Sequence, residues 1–233
     1  MTSSSARRIF LGAFASARPL LAAPEAAARW GEPSALPGLT VGGLAAHLVR
    51  SGQNVVRYLS VEPPDGPPID APEYYATVLE GMDAADHADV VERGEEGARA
   101  GPGALLEAYD EALALCRDAL DREPEDRLVA VFGGLVMRLD DYLATRTVEA
   151  LVHADDLAAS IEVELPSPPP GSRRAAIDHL VEVALRRHGE RAVLVALTRR
   201  ERDAADALRI FDAVPQERQP ETGEGSEPGH ATR

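Results

Sequence analysis

Arg146-Thr147-Val148-Glu149-Ala150-Leu151-Val152-His153-Ala154-Asp155-Asp156-Leu157 is the stretch that decides how this chain is read. The pattern predicts a helix, and the four-residue spacing stacks Glu149 and His153 on one of its faces. Leu139, Tyr142, Leu143, Ala150, Leu157 and Ile161 share that face, so a carboxylate and an imidazole project into apolar surroundings. A buried carboxylate is costly without a partner. One solution is a structural network: Arg146, a turn earlier on the same stripe, neutralises Glu149, and Asp156 continues the chain of contacts. The other is a metal. Leu44-Ala45-Ala46-His47-Leu48 reads as part of a second helix, with His47 on its apolar edge beside Leu44, Val55 and Tyr58. Two histidines and one glutamate from two helices of a bundle make a three-ligand set with room for water or substrate.

Helical periodicity dominates the rest of the chain, and strand signals are few. A first helix is expected over residues 5–29, broken or kinked at Pro19 and Pro24. Thr40 is the expected N-cap of a second helix running to about Ser60. A proline-rich linker follows, then a helix over 72–98, a turn at Gly101-Pro102-Gly103 and a helix over 103–122. Leu128 to Phe132 reads as a short strand or an extended loop leading to Gly133-Gly134. The long helix with the Glu149–His153 motif is expected from Leu135 to Ile161, and Glu164 to Gly171 is a second linker. The expected units are a helical bundle over 5–165, a small C-terminal module over 172–214 ending in the strand-like run Leu208-Arg209-Ile210-Phe211, and a tail over 215–233. The tail is almost all Pro, Glu, Gly, Ser, Gln and Arg, a composition that predicts disorder and indifference to its deletion.

At 233 residues the chain is long enough for one good core. Its net charge of −15, from 24 basic and 39 acidic residues, makes nucleic acid and anionic membrane surfaces poor partners. No stretch is apolar for long enough to span a bilayer. Cys116 is the only cysteine, so no internal disulfide can form, and a reducing cytoplasm is the simplest home. Its neighbours Leu113, Ala114 and Leu115 make it a small core filler rather than a nucleophile. Ala6-Arg7-Arg8-Ile9-Phe10-Leu11 mimics a twin-arginine export signal. Against export, Arg18 and Pro19 interrupt the apolar region, and Ile9, Phe10, Phe14, Leu20 and Leu21 can line a first bundle helix. No nucleophile elbow, phosphate-cradling loop or dinucleotide fingerprint is present in the sequence.

Two segments carry a resemblance. Ser34-Ala35-Leu36-Pro37-Gly38-Leu39-Thr40-Val41-Gly42-Gly43-Leu44-Ala45-Ala46-His47-Leu48 resembles the entry to the metal-binding helix of the DinB-like bundles. Arg146 to Ala159 resembles the second metal helix of one branch, the mycothiol-dependent maleylpyruvate isomerase family. The two motifs lie in the family's order and spacing, and a looser likeness extends over residues 5–212. Two departures stand out: Leu39 replaces a tryptophan found in many members, and Gly42-Gly43 replaces a common polar pair.

The resemblance implies an all-α, DinB-like four-helix bundle with His47, Glu149 and His153 as metal ligands, and Arg146 and Asp156 supporting them. The donor set suits zinc best, although imidazoles also admit nickel, iron or cobalt. The implied co-substrate is mycothiol, which would act on a small electrophile by S-transfer or isomerisation. All 24 basic residues are arginine and alanine is abundant, which fits the GC-rich genome of an actinobacterium, where mycothiol is the abundant thiol. A metal hydrolase using activated water, or a non-catalytic metal-binding bundle, remains the alternative. No catalytic side chain beyond the ligands is assignable. His87 is a weak candidate for a fourth ligand, and His179, His188 and His230 have less claim. Arg186 and Arg209 are unranked candidates for holding a substrate anion.

Overall fold

The structure is a computed structural model that describes residues 3–62, 64–81, 84–199 and 205–208. Helix α1 spans Ser3–Ala15, and the prolines then divide the expected first helix into two short pieces, α2 (Arg18–Leu21) and α3 (Pro24–Ala28). Each proline occupies the first turn of its piece, where its missing N–H breaks no helical bond. Then follow α4 (Val41–Leu59), α5 (Ala71–Gly81), α6 (Ala84–Ala98) and α7 (Gly101–Arg122). Strands β1 (Leu128–Ala130) and β2 (Val136–Arg138) precede α8 (Leu139–Ile161) and α9 (Ser172–Thr198).

Four of these helices close a ring. α1 packs on α8, α8 on α4, α4 on α7, and α7 back on α1. α4 has the pattern that requires: Val41, Leu44, Ala45, Leu48, Val49, Gly52 and Val55 recur at helical spacing and are buried. Each fully buried leucine or valine contributes roughly 1.5–3 kcal/mol, which far exceeds what helix propensity alone supplies. Thr40 caps this helix as the sequence predicts, its side chain accepting from the Gly43 N–H at 3.0 Å. Glu95 of α6 strengthens the cap by accepting from the Thr40 amide at 2.8 Å. At the far end of α8, Glu162 adopts the left-handed conformation that stops the helix. Arg29 then reaches the Ser160 carbonyl at 3.1 Å and the Glu162 carboxylate at 3.0 Å. The molecule is thus a mostly-α, DinB-like bundle.

α1 belongs to the core. Phe10 and Phe14 are fully buried, their rings stacked at 5.8 Å, and Phe14 meets Tyr109 of α7 at 4.7 Å. Arg7 donates to the carbonyls of Leu120, Glu123 and Pro124, which satisfies the open C-terminal end of α7. No described helix is long and apolar enough to cross a membrane.

Two sequence expectations need correction. The long helix begins at Leu139, four residues later than Leu135, because Val136–Arg138 pairs antiparallel with Leu128–Ala130. Gly133 and Gly134, both at positive φ, make the turn, and the Ile69 N–H bonds the Val136 carbonyl at 2.8 Å. Leu208, expected in a strand-like run, closes a 3₁₀ turn over Ala205–Leu208. Ser172–Thr198 is helical as expected, with Gly189 at φ 80° kinking α9. α9 packs on α5 and α8. Arg209, Ile210, Phe211, His230 and the whole 215–233 segment lie outside the described residues.

Candidate metal centre

α8 and α4 bring the donors together. Glu149 and His153 stack one turn apart on α8, while His47 faces them from α4, and one ligand atom from each lies within 4.8 Å of the others. His153 Nε2 is 3.2 Å from Glu149 Oε2, and His47 Nε2 is 3.9 Å from the same oxygen. The two imidazoles meet edge to face at 4.7 Å. All three side chains keep some access to solvent, at 22% for His47, 19% for Glu149 and 12% for His153.

The flanking residues orient the donors. Asp156 Oδ2 is 3.3 Å from His153 Nδ1, so the carboxylate accepts a proton held there and leaves Nε2 turned to the cluster. Arg146 approaches Glu149 at 3.8 Å, donates from Nε to Thr145 Oγ1 at 3.1 Å, and lies over the Tyr142 ring at 5.1 Å. Thr145 and Thr147 stay buried because their hydroxyls bond carbonyls one turn back, at 2.7 and 2.9 Å.

Without a metal, the electrostatics make this cluster a network of charged groups. Burial alone would raise Glu149, but the Arg146 charge and hydrogen bonds from His153 and His47 hold its carboxyl well below the usual range. Burial depresses His47, with the His153 charge adding to it against a hydrogen bond from Glu149, so His47 is neutral. Burial works against the His153 cation too, yet the hydrogen bonds to Asp156 and Glu149 outweigh it and push the imidazole up to about 9. A fixed anion thus sits between a neutral imidazole and an imidazolium backed by Asp156, and a metal ion would bind in place of the His153 Nε2 proton. Two nitrogens and one oxygen converging in this way fit a borderline divalent ion such as zinc.

The other sequence candidates fall elsewhere. His87 stands on α6 and His188 on the exposed side of α9, both apart from the cluster. His179 meets the Tyr75 ring edge-on at 6.5 Å. Arg186 is engaged by Asp70 through two 2.9 Å bonds. The sequence reading missed Tyr74 and Tyr75 on α5. Both lie close enough to feel the charges of Arg146 and Glu149, and burial raises both phenols. Adjacent tyrosines in a chain with 4% aromatic residues were the only available signal.

Fold and site together define a helical bundle with a His₂Glu cluster between two of its helices. A family model described as the mycothiol maleylpyruvate isomerase N-terminal domain matches residues 11–158. The chain belongs to that family. No curated protein and no solved structure matches it.

Proposed function

We propose that the protein is a mycothiol-dependent metalloenzyme, an S-transferase or isomerase for a small electrophilic substrate. The observation that carries the reading is the convergence of His47, Glu149 and His153 within 4.8 Å, in a chain of the mycothiol maleylpyruvate isomerase family. His47 and His153 would hold a divalent metal, zinc in the first instance, through Nε2, and Glu149 through its carboxylate. When bound, the metal supplies a Lewis acid that keeps a thiol ionised at neutral pH, where a free thiol near pKa 8.5 is mostly protonated.

The chain's own groups do the rest. Asp156 fixes the His153 ring, and Arg146 braces the Glu149 charge from the side away from the histidines. The attacking thiol is supplied from outside, because Cys116 is fully buried and its thiol is pushed up to about 12 by burial. We assign the catalytic unit to residues 5–165, which contain all three donors and both supporting residues, and treat 172–214 as an accessory module. A reducing, cytoplasmic setting suits a thiol co-substrate and a chain with one cysteine.

The test is turnover of model electrophiles by zinc-loaded protein with mycothiol, with its S-methylated form, and with no thiol. Turnover that requires the free thiol is expected. Equal turnover without thiol would replace this reading with a hydrolase that activates water.

A further inference from the structure

α4 carries a second polar feature one face round from His47. Arg50 and Gln53 look onto α6 and the first turns of α7, where Arg93 and Glu96 complete the polar lining of a cavity of about 270 Å³. Its floor is made of small residues such as Gly97 and Ala104, which leave the space open. None of the three donors lines it, so the cavity is separate from the candidate metal centre. The volume lies just below the roughly 300–1,000 Å³ of drug-sized pockets and suits a smaller ligand.

The charges in this cavity are unbalanced. Arg50 is partly buried and makes no ion pair among the described residues. Its burial and the positive charges of Arg93 and Arg57 all disfavour its cation. Among the described residues, Arg93 pairs with Asp89 alone, 3.6 Å away at an exposed edge. Glu96 lines the same cavity but pairs with neither guanidinium. Two guanidinium groups facing one cavity are suited to bidentate capture of an oxyanion. Ala100, Ala104, Leu105 and Ala108, at and after the start of α7, form another side of the cavity.

We infer that this cavity binds a small oxyanion, a carboxylate or phosphate group held between Arg50 and Arg93. The ligand also carries a hydrogen-bond donor, for which Glu96 is the acceptor. Arg50 then gains the counter-charge that the chain withholds. The inference does not depend on a metal at His47.

The experiment is isothermal titration calorimetry of the full-length protein with inorganic phosphate and with lactate, whose hydroxyl supplies the donor, against sodium chloride at matched ionic strength. At least one of the two anions should bind saturably, and the one that binds more tightly identifies the source as phosphate or carboxylate. Arg50→Gln and Arg93→Gln should each weaken that binding about ten-fold or more. Arg50→Lys should retain part of the affinity, and His47→Ala should bind as the wild type does. Without anion, Arg50→Gln should melt at the wild-type temperature or above it, because it removes a cation with like-charged neighbours. Binding of neither anion beyond the chloride control would overturn the inference, as would unchanged affinity in Arg50→Gln. A fall of several degrees in the melting temperature of anion-free Arg50→Gln would also overturn it, by showing that the guanidinium is a structural brace.

Discussion

Glu149 holds its charge between one guanidinium and two imidazoles, and this position separates its role in stability from its role in binding. The Arg146 contact is long, at 3.8 Å, and the site keeps some solvent access. Glu149→Gln should therefore cost the metal-free protein no more than about 2 kcal/mol. Its zinc-dependent rise in melting temperature should nevertheless disappear, because an amide is a poor ligand for a dication. Thermal melts with and without zinc check this: a mutant with the wild-type zinc response would remove Glu149 from the donor set. Cys116 gives a second prediction. Its Sγ lies 3.3 Å from the Gly52 carbonyl and its thiol is pushed up to about 12, so iodoacetamide at pH 8 should label it only after unfolding. Rapid labelling of the folded protein, followed by mass spectrometry, would contradict the buried placement. The donors were legible in sequence because the Glu149–His153 spacing is local and His47 lies in a family motif. Tyr74 and Tyr75 were not, because only tertiary packing brings α5 beside Arg146.

At the scale of elements, glycines decide how closely helices approach. A Cβ on Gly52 would lie 2.5 Å from the Phe14 ring, which Phe10 and Tyr109 hold in place. Gly52→Ala should thus destabilise by about 1–3 kcal/mol through overpacking. Gly103, exposed on α7 with nothing within 4 Å of an added Cβ, is the opposite case. Gly103→Ala should stabilise by about 0.4–1 kcal/mol. Urea denaturation of both variants checks the pair, and equal effects would show that the Phe14 contact does not limit α4. The same close approach explains Gly42, where a Cβ would come within 2.6 Å of the Trp30 indole. A bulkier polar pair at 42–43 has no room here. The amphipathic helices and the Thr40 cap were readable from periodicity and cap chemistry. β2 was not, because Val136–Arg138 is too short for an alternating signal and leads directly into α8. Glu95 as a second cap on α4 was equally hidden, since it arrives from another helix.

At the scale of the molecule, closure of the ring depends on α1. Removing residues 1–15 would take away two fully buried phenylalanines and the Arg7 contacts that close α7. Each lost phenylalanine costs about 3–5 kcal/mol, against a total stability of roughly 5–15 kcal/mol for a domain. The truncated chain should show no cooperative thermal transition by circular dichroism. A sharp transition near that of the full chain would show that the N-terminal segment is dispensable, as a cleavable export signal must be. The helical class was visible in the sequence, but the order in which four helices close the ring was not, because amphipathic faces do not name their partners. The ring sets α4 against α8 and so determines whether His47 reaches Glu149 and His153. The most direct test is elemental analysis of the full-length protein purified without chelator, alongside His47→Ala. The wild type should carry about one divalent metal per chain and the variant should lose most of it at unchanged helix content. Equal metal content in the two proteins, or none in the wild type after zinc loading and dialysis, would contradict a metal centre built from these three side chains.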